Sequence, residues 1–196
     1  LIFFIRFRYV YIILTRIVMY ILKKYNKPPV NKTIMKKLIL IRHAKSCWNA
    51  ITDDLSRPIS TRGVNDAHLV SHTLMGHLPA KVIVWSSPAK RASETAKIFC
   101  QNMEINLDCI ILNPEVYTFE RSGLIKAIKK CKNEHDTLIL FGHNEAITKF
   151  VNKFGSETYE NVPTSGVVII NFDTNDWRDI EKGTTELTIF PRDLKK

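Results

Sequence analysis

Four consecutive aliphatic residues, Leu38-Ile39-Leu40-Ile41, end abruptly at Arg42-His43-Ala44-Lys45-Ser46. An uninterrupted apolar run of this length is the pattern of a strand buried on both faces. Such strands belong to parallel sheets covered by helices on either side. Ligands of open α/β sheets bind just beyond the carboxyl ends of the strands. A buried strand that stops at a guanidinium, an imidazole and a hydroxyl therefore predicts both a fold layer and the place of a site.

The rest of the chain repeats the alternation. The first strand is predicted over residues 37–42. Ser60 is a plausible N-cap for a helix over 61–75. Lys81-Val82-Ile83-Val84-Trp85 reads as a second buried strand. Ser86-Ser87-Pro88 is a helix-start signal, a hydroxyl followed by proline in the first turn, and predicts a helix over 88–101 that carries Arg91. A short strand is expected over 109–112. The spacing of Leu124, Ile125, Ile128 and Cys131 predicts a helix over 122–131 with one buried stripe. A fourth strand at 137–141 ends in Gly142-His143-Asn144 and is followed by a helix to residue 154. Later strands are expected at 166–172 and 186–190. Strands alternating with helices define an α/β protein, a three-layer sandwich with a mainly parallel central sheet flanked by helices.

Net charge bears on the partner. The chain carries +10 over 196 residues, which would fit an acidic partner. Residues 1–35 hold seven of these cations and no acid, leaving only +3 for residues 36–196. The body of the protein therefore shows no nucleic-acid footprint. Residues 1–35 are a basic, apolar leader, and residues 36–196 form the domain. In the leader Arg6, Arg8 and Arg16 break up the apolar residues, so no stable membrane span is expected. No small-residue cleavage site follows, and the chain begins with leucine. The expectation is that residues 1–34 extend the natural protein and that Met35 is its start; the alternative is a short membrane-associated leader. Residues 26–33, with Pro28-Pro29, form a linker in either case. Cys47, Cys100, Cys109 and Cys131 have irregular spacing, which gives no zinc or disulfide pattern and fits reduced thiols in the cytoplasm.

Three predicted strand ends supply two arginines and two histidines: Arg42 and His43, then Arg91, then His143. A guanidinium presents a planar fork of donors that matches phosphate oxygens. Helix starts add backbone N–H groups. A neutral imidazole is a competent nucleophile toward phosphorus when one ring nitrogen is free and the other is held as a donor.

These residues sit in recognisable motifs. Arg42-His43-Ala44 with Ser46 and Asn49 resembles the R-H-G/A-x-S-x-x-N motif of the histidine phosphatase (phosphoglycerate mutase-like) superfamily. Ser86-Ser87-Pro88-Ala89 with Arg91, Ala92, Thr95 and Ala96 is similar to its S-S-P-x-x-R-A-x-x-T-A motif, and Gly142-His143-Asn144 to its G-H-N/G motif. Arg57-Pro58-Ile59, Arg62-Gly63 and Pro163-Thr164 look most like the small SixA-type branch, associated with phosphohistidine phosphatase activity on phosphotransfer proteins. The resemblance implies the phosphoglycerate mutase-like fold. It also implies His43 as the phosphorylated nucleophile, with Arg42, Arg91 and His143 holding the phosphoryl group and Asn49 a secondary ligand. No cofactor and no metal are implied.

Other phosphatase chemistries are excluded by the sequence. The residues six after each cysteine are Asp53, Asn106, Glu115 and Thr137, so no C-x5-R loop exists. No glycine is followed by lysine and then serine or threonine, so there is no P-loop. His68 and His72 have the i,i+4 spacing of a metal pair but no evident third ligand, and read as helix-surface residues. The general acid is the open position. Mutase-like relatives use a glutamate after the third strand, where Glu115 and Glu120 lie, with Glu115 favoured for its place near the sheet's carboxyl edge. Neither sits in a convincing motif. An alkoxide leaving group needs that proton and a departing imidazole needs it less, so the expected substrate is phosphohistidine on a phosphotransfer protein. The alternatives are a small phosphate ester turned over by a phosphomonoesterase or mutase of the same fold, and a non-catalytic phosphate-binding module.

Overall fold

The computed structural model describes residues 35–47 and 53–195. The expected leader and linker, residues 1–34, lie outside the described residues. Strand β1 (Lys36–Arg42) forms where the aliphatic run predicts it. Leu38, Ile39, Leu40 and Ile41 have no exposed surface. Side chains alternate faces along a strand, so the run splits between two cores. Leu38 and Leu40 pack in a cluster with residues of α3 (Arg121–Ile128) and α4 (Ala146–Phe154). Ile39 and Ile41 pack with residues of α1 (Thr61–Met75) and α2 (Lys90–Asn102). Burying each such side chain contributes about 1.5–3 kcal/mol, which favours aliphatic residues over the doubly covered stretch 38–41.

The remaining strands are β2 (Ile83–Ser86), β3 (Ile110–Leu112), β4 (Thr137–Gly142), β5 (Val167–Phe172) and β6 (Thr184–Ile189). They form one sheet in the order β3-β2-β4-β1-β5-β6. The pairs β3–β2, β2–β4 and β4–β1 are parallel, while β5 and β6 add antiparallel to the β1 edge. The mainly parallel three-layer arrangement is as expected. It also explains how distant motifs meet. Strands β2, β4 and β1 are neighbours and parallel, so their carboxyl ends bring residues near 86, 142 and 42 to one edge.

Helix α1 spans the predicted residues because its cap is local. Ser60 Oγ accepts the Gly63 N–H at 3.1 Å and donates to the Lys45 carbonyl at 3.0 Å. A Cβ at Gly63 would collide with that same Lys45 carbonyl. The helix start is thus pressed against the loop that follows β1. Helix α2 begins two residues later than the Ser-Ser-Pro signal implies. Ser87 Oγ accepts the Ala89 N–H at 3.3 Å ahead of the helix, and Ala89 occupies the cap position without a side-chain bond. Helix α3 stops at Ile128 rather than 131, and turns carry the chain on to Cys131, which stays buried in the same core. Strand β6 lies one to two residues earlier than its prediction. No helix among the described residues is long and apolar enough to cross a membrane.

Candidate active site

A cavity of about 300 Å³ opens at the carboxyl edge of the sheet, with Arg42, His43, Asp54, Arg57 and Arg91 on its walls. Lys45 also lines it, so among the described residues four cationic side chains face a single carboxylate. Arg42 ends β1, where its Nη1 donates to Asn161 Oδ1 at 3.0 Å and to the Val162 carbonyl at 2.7 Å. Its Nε is buried and has no protein partner, and burial lowers its pKa. The guanidinium stays cationic nonetheless, because arginine does not lose its proton in proteins.

His43 follows directly. Its Nδ1 lies 2.8 Å from the Ala44 carbonyl, which can only accept, so Nδ1 carries the proton and Nε2 the lone pair. The partner of that lone pair is Arg91, whose Nε–H points at His43 Nε2 from 3.4 Å. Arg91 sits in the first turn of α2 and is 1% exposed. Its Nη2 lies 3.3 Å from His143 Nδ1. Arginine has no acceptor, so Nδ1 of His143 accepts and its Nε2–H donates to Ser87 Oγ at 2.7 Å. The two imidazole centroids are 5.1 Å apart. Thr95 ties the elements together: its hydroxyl donates to the Arg91 carbonyl at 2.6 Å and accepts the Ala44 N–H at 2.9 Å.

The structure brings Arg42, His43, Arg91 and His143 together as expected, with one difference in depth. His143 is 1% exposed and lies behind Arg91, under the rings of Tyr117 and Phe119 at 5.3 and 5.1 Å, rather than on the cavity wall. Asn49 lies outside the described residues. Neither Glu115 nor Glu120 lines the cavity, so the expected acid is not found there. Glu115 is exposed and pairs with Lys130 at 2.5 Å. Glu120 precedes α3 as an exposed residue. His68 and His72 are exposed on α1, and His68 Nδ1 meets Asn102 Nδ2 at 2.9 Å. No group of three metal-ligating side chains occurs among the described residues.

The residue that sequence reasoning missed is Asp54. Its main-chain carbonyl accepts from Arg91 Nη1, and its Oδ2 accepts from Arg91 Nη2 at 2.8 Å and from Tyr117 OH at 2.7 Å. Arg57 Nη2 donates to Oδ1 at 2.6 Å. Partial burial alone would raise the Asp54 pKa. The bonds from Tyr117 and Arg91, with the charges of Arg91 and Arg57, outweigh it and hold the carboxyl below the ordinary range. The same bond to Asp54 raises the Tyr117 phenol.

Both histidines are held neutral. Burial first of all, against the opposing bond to Ala44 and with the charges of Arg91, Arg42 and Arg57 adding to it, pushes His43 down to about 4. Burial, His43 and Arg91 push His143 down to about 3. Proton NMR of the ring carbon-bound hydrogens should therefore show neither residue titrating near 6.5, with His43 turning over near pH 4. Both folded values lie below the unfolded value of 6.5, so the unfolded chain binds more protons in that window. Stability should be full above pH 6.5 and fall as pH drops from 6.5 toward 4. Urea midpoints that stay constant over that range would contradict this prediction.

A cationic cavity at the carboxyl edge of a helix-covered, mainly parallel sheet, beside a neutral imidazole with an unprotonated nitrogen, is chemically suited to receive a phosphoryl group. The comparisons agree. The family model of the histidine phosphatase superfamily (branch 1) matches residues 38–112. The uncharacterized protein Rv1276c of Mycobacterium tuberculosis is 27% identical over 161 residues, covering 76% of this chain and 98% of its own. The protein histidine phosphatase SixA in complex with tungstate superposes with a TM-score of 0.67 at 20% identity, covering 81% of this chain and 99% of that one. The putative phosphohistidine phosphatase SixA from Nakamurella multipartitia gives 0.69 at 19% identity, covering 80% and 96%. Over residues 38–112 the chain is thus similar to the histidine phosphatase superfamily. Its fold is the phosphoglycerate mutase-like sandwich.

Proposed function

We propose that this protein removes the phosphoryl group from phosphohistidine on a signalling phosphotransfer protein, through a phosphorylated His43. The observation that carries the reading is the His43 Nε2 lone pair, directed into a cationic cavity while Nδ1–H is held by the Ala44 carbonyl. Attack by Nε2 on phosphorus would place a cationic ring beside a carbonyl already accepting its Nδ1–H. Arg91 and Arg42 would bind the phosphoryl oxygens, with donors fixed in advance by Asp54, Asn161 and Val162. His143 would complete the group from behind Arg91, and Asn49 would be a secondary ligand.

The substrate class follows from proton supply. An alkoxide needs a proton as it leaves. Asp54, the one carboxylate on the cavity wall among the described residues, is held ionised, and Glu115 faces Lys130 instead. A phosphoimidazole protonated on its other nitrogen leaves as a neutral ring and needs no such donor. The SixA proteins among the fold neighbours support the same class. Cys47, Cys100, Cys109 and Cys131 are all free thiols, which fits a cytoplasmic setting.

The test is a direct competition. The protein is incubated with a histidine-phosphorylated phosphotransfer protein and, separately, with a panel of phosphorylated metabolites. The phosphoprotein should lose its label with the higher kcat/KM. A metabolite turned over faster would make the protein a small-molecule phosphomonoesterase of the same fold.

A further inference from the structure

Hydrolysis through a phosphorylated histidine needs a second step, in which water attacks phosphorus and gives up a proton. The groups on the cavity wall differ sharply in their ability to take it. Arg42, Lys45, Arg57 and Arg91 are cations, and His43 is occupied by the phosphoryl group. Glu115 and Glu120 do not line the cavity. Asp53, next to Asp54 in the chain, is turned to Ser56, whose N–H and hydroxyl bind its two oxygens at 2.8 and 3.0 Å. Residues 48–52 contain no acid. Asp54 is the one anionic group on the wall among the described residues.

Its geometry suits a base. Asp54 Oδ2 is 2.8 Å from Arg91 Nη2, and the Nε of the same guanidinium is 3.4 Å from His43 Nε2. The carboxylate and the nucleophile thus flank one planar group. A water occupies about 30 Å³ in the liquid, so a cavity of about 300 Å³ has room for a phosphoryl group and the attacking water together. The carboxylate is held by three elements: Arg91 from α2, Arg57 from its own loop and Tyr117 from the segment after β3.

We propose that Asp54 is the general base of the second half-reaction, an inference that rests on the proposed phospho-His43 intermediate. The water oxygen bonds to phosphorus as the P–Nε2 bond breaks. The electron pair of that bond returns to Nε2. The proton released by the water passes to an Asp54 carboxylate oxygen, and then to bulk solvent once inorganic phosphate has left. In the first half-reaction Asp54 takes no proton, because the leaving imidazole departs neutral.

This separates the two steps experimentally. Rapid-quench measurements with phosphoramidate as donor follow phosphoryl transfer to His43 and its loss. In Asp54→Asn, phosphorylation of His43 should slow only by what the loosened Arg91 costs, far less than hydrolysis of the phosphoenzyme. Hydrolysis of the phosphoenzyme should slow by about 10²–10⁴-fold, the usual worth of general acid–base catalysis, so that the phosphoenzyme accumulates. In Asp54→Ala, added formate should restore hydrolysis, as a carboxylate supplied from solution. Equal slowing of both steps, with weakened binding of vanadate and no rescue by formate, would make Asp54 a positioning residue for Arg91 and overturn the proposal. Loss of the melting transition in both variants would make it structural, with the same consequence. A wild-type protein that forms no phosphoenzyme would instead overturn the proposed function, and this inference with it.

Discussion

His43→Ala is expected to abolish phosphoryl transfer while leaving the fold in place. The two halves of that expectation have separate causes. The imidazole sits past the end of β1, half-buried, and its side-chain bonds are to the adjacent Ala44 carbonyl and to Arg91. It takes no part in either of the cores that hold the sheet. Thermal melting should therefore change by no more than is usual for a residue outside the core. Chemistry, in contrast, loses the lone pair that would attack phosphorus. Deleting a nucleophile costs on the order of 10⁶-fold in kcat where it has been measured in other enzymes. Turnover of a phosphohistidine protein should fall to the buffer rate, and the acid-labile phosphoryl group trapped on wild-type His43 should vanish. Turnover of His43→Ala above a few per cent of wild type would sink the phosphohistidine intermediate. Residual binding of vanadate to the variant is compatible with it, because Arg42 and Arg91 remain.

What the sequence discloses and what it conceals follow from how local each cause is. β1 is legible because burial on both faces leaves an unbroken aliphatic run. α1 is legible to the residue because its cap, Ser60 to Gly63, is three residues long. The start of α2 is misplaced because Ser87 is not a helix cap. Its hydroxyl serves a turn and receives the His143 Nε2–H, a partner 56 residues away that no local signal reveals. Glu115 is chosen for its place in the chain near the sheet's carboxyl edge, but place does not set direction, and its carboxylate turns to Lys130. Asp54 lies in a polar loop with no periodicity, 37 residues from Arg91, and gains its role only when that loop folds over the start of α2. The Lys90 N–H bond to the Leu55 carbonyl at 2.8 Å is part of that closure. Ser165, in the left-handed region at φ 60°, donates its N–H to the Arg42 carbonyl at 3.1 Å and is equally silent in sequence.

Arg91→Lys carries the second large expected effect, and it tests the fork rather than the charge. Arg91 uses each of its nitrogens differently: Nε toward His43, Nη1 toward the Asp54 carbonyl, Nη2 toward both the Asp54 carboxylate and His143. Lysine keeps one positive charge but concentrates its donors on a single nitrogen, so it cannot serve these directions together or grip two phosphoryl oxygens in one plane. Removing one preorganised donor from a developing oxyanion costs about 10²–10³ in kcat. Arg91→Lys should lose at least that much, with weaker inhibition by vanadate as an independent sign that the loss lies in phosphoryl binding. Folding should suffer less than removal of a fully buried ion-pair partner, typically about 3–5 kcal/mol, because the charge is kept and Asp54 is itself half-exposed. Stopped-flow and steady-state rates on the phosphoprotein measure the first effect, and urea denaturation the second. A lysine variant within threefold of wild type would show that charge alone suffices at this position, and the planar match between Arg91 and the phosphoryl oxygens would have to be abandoned.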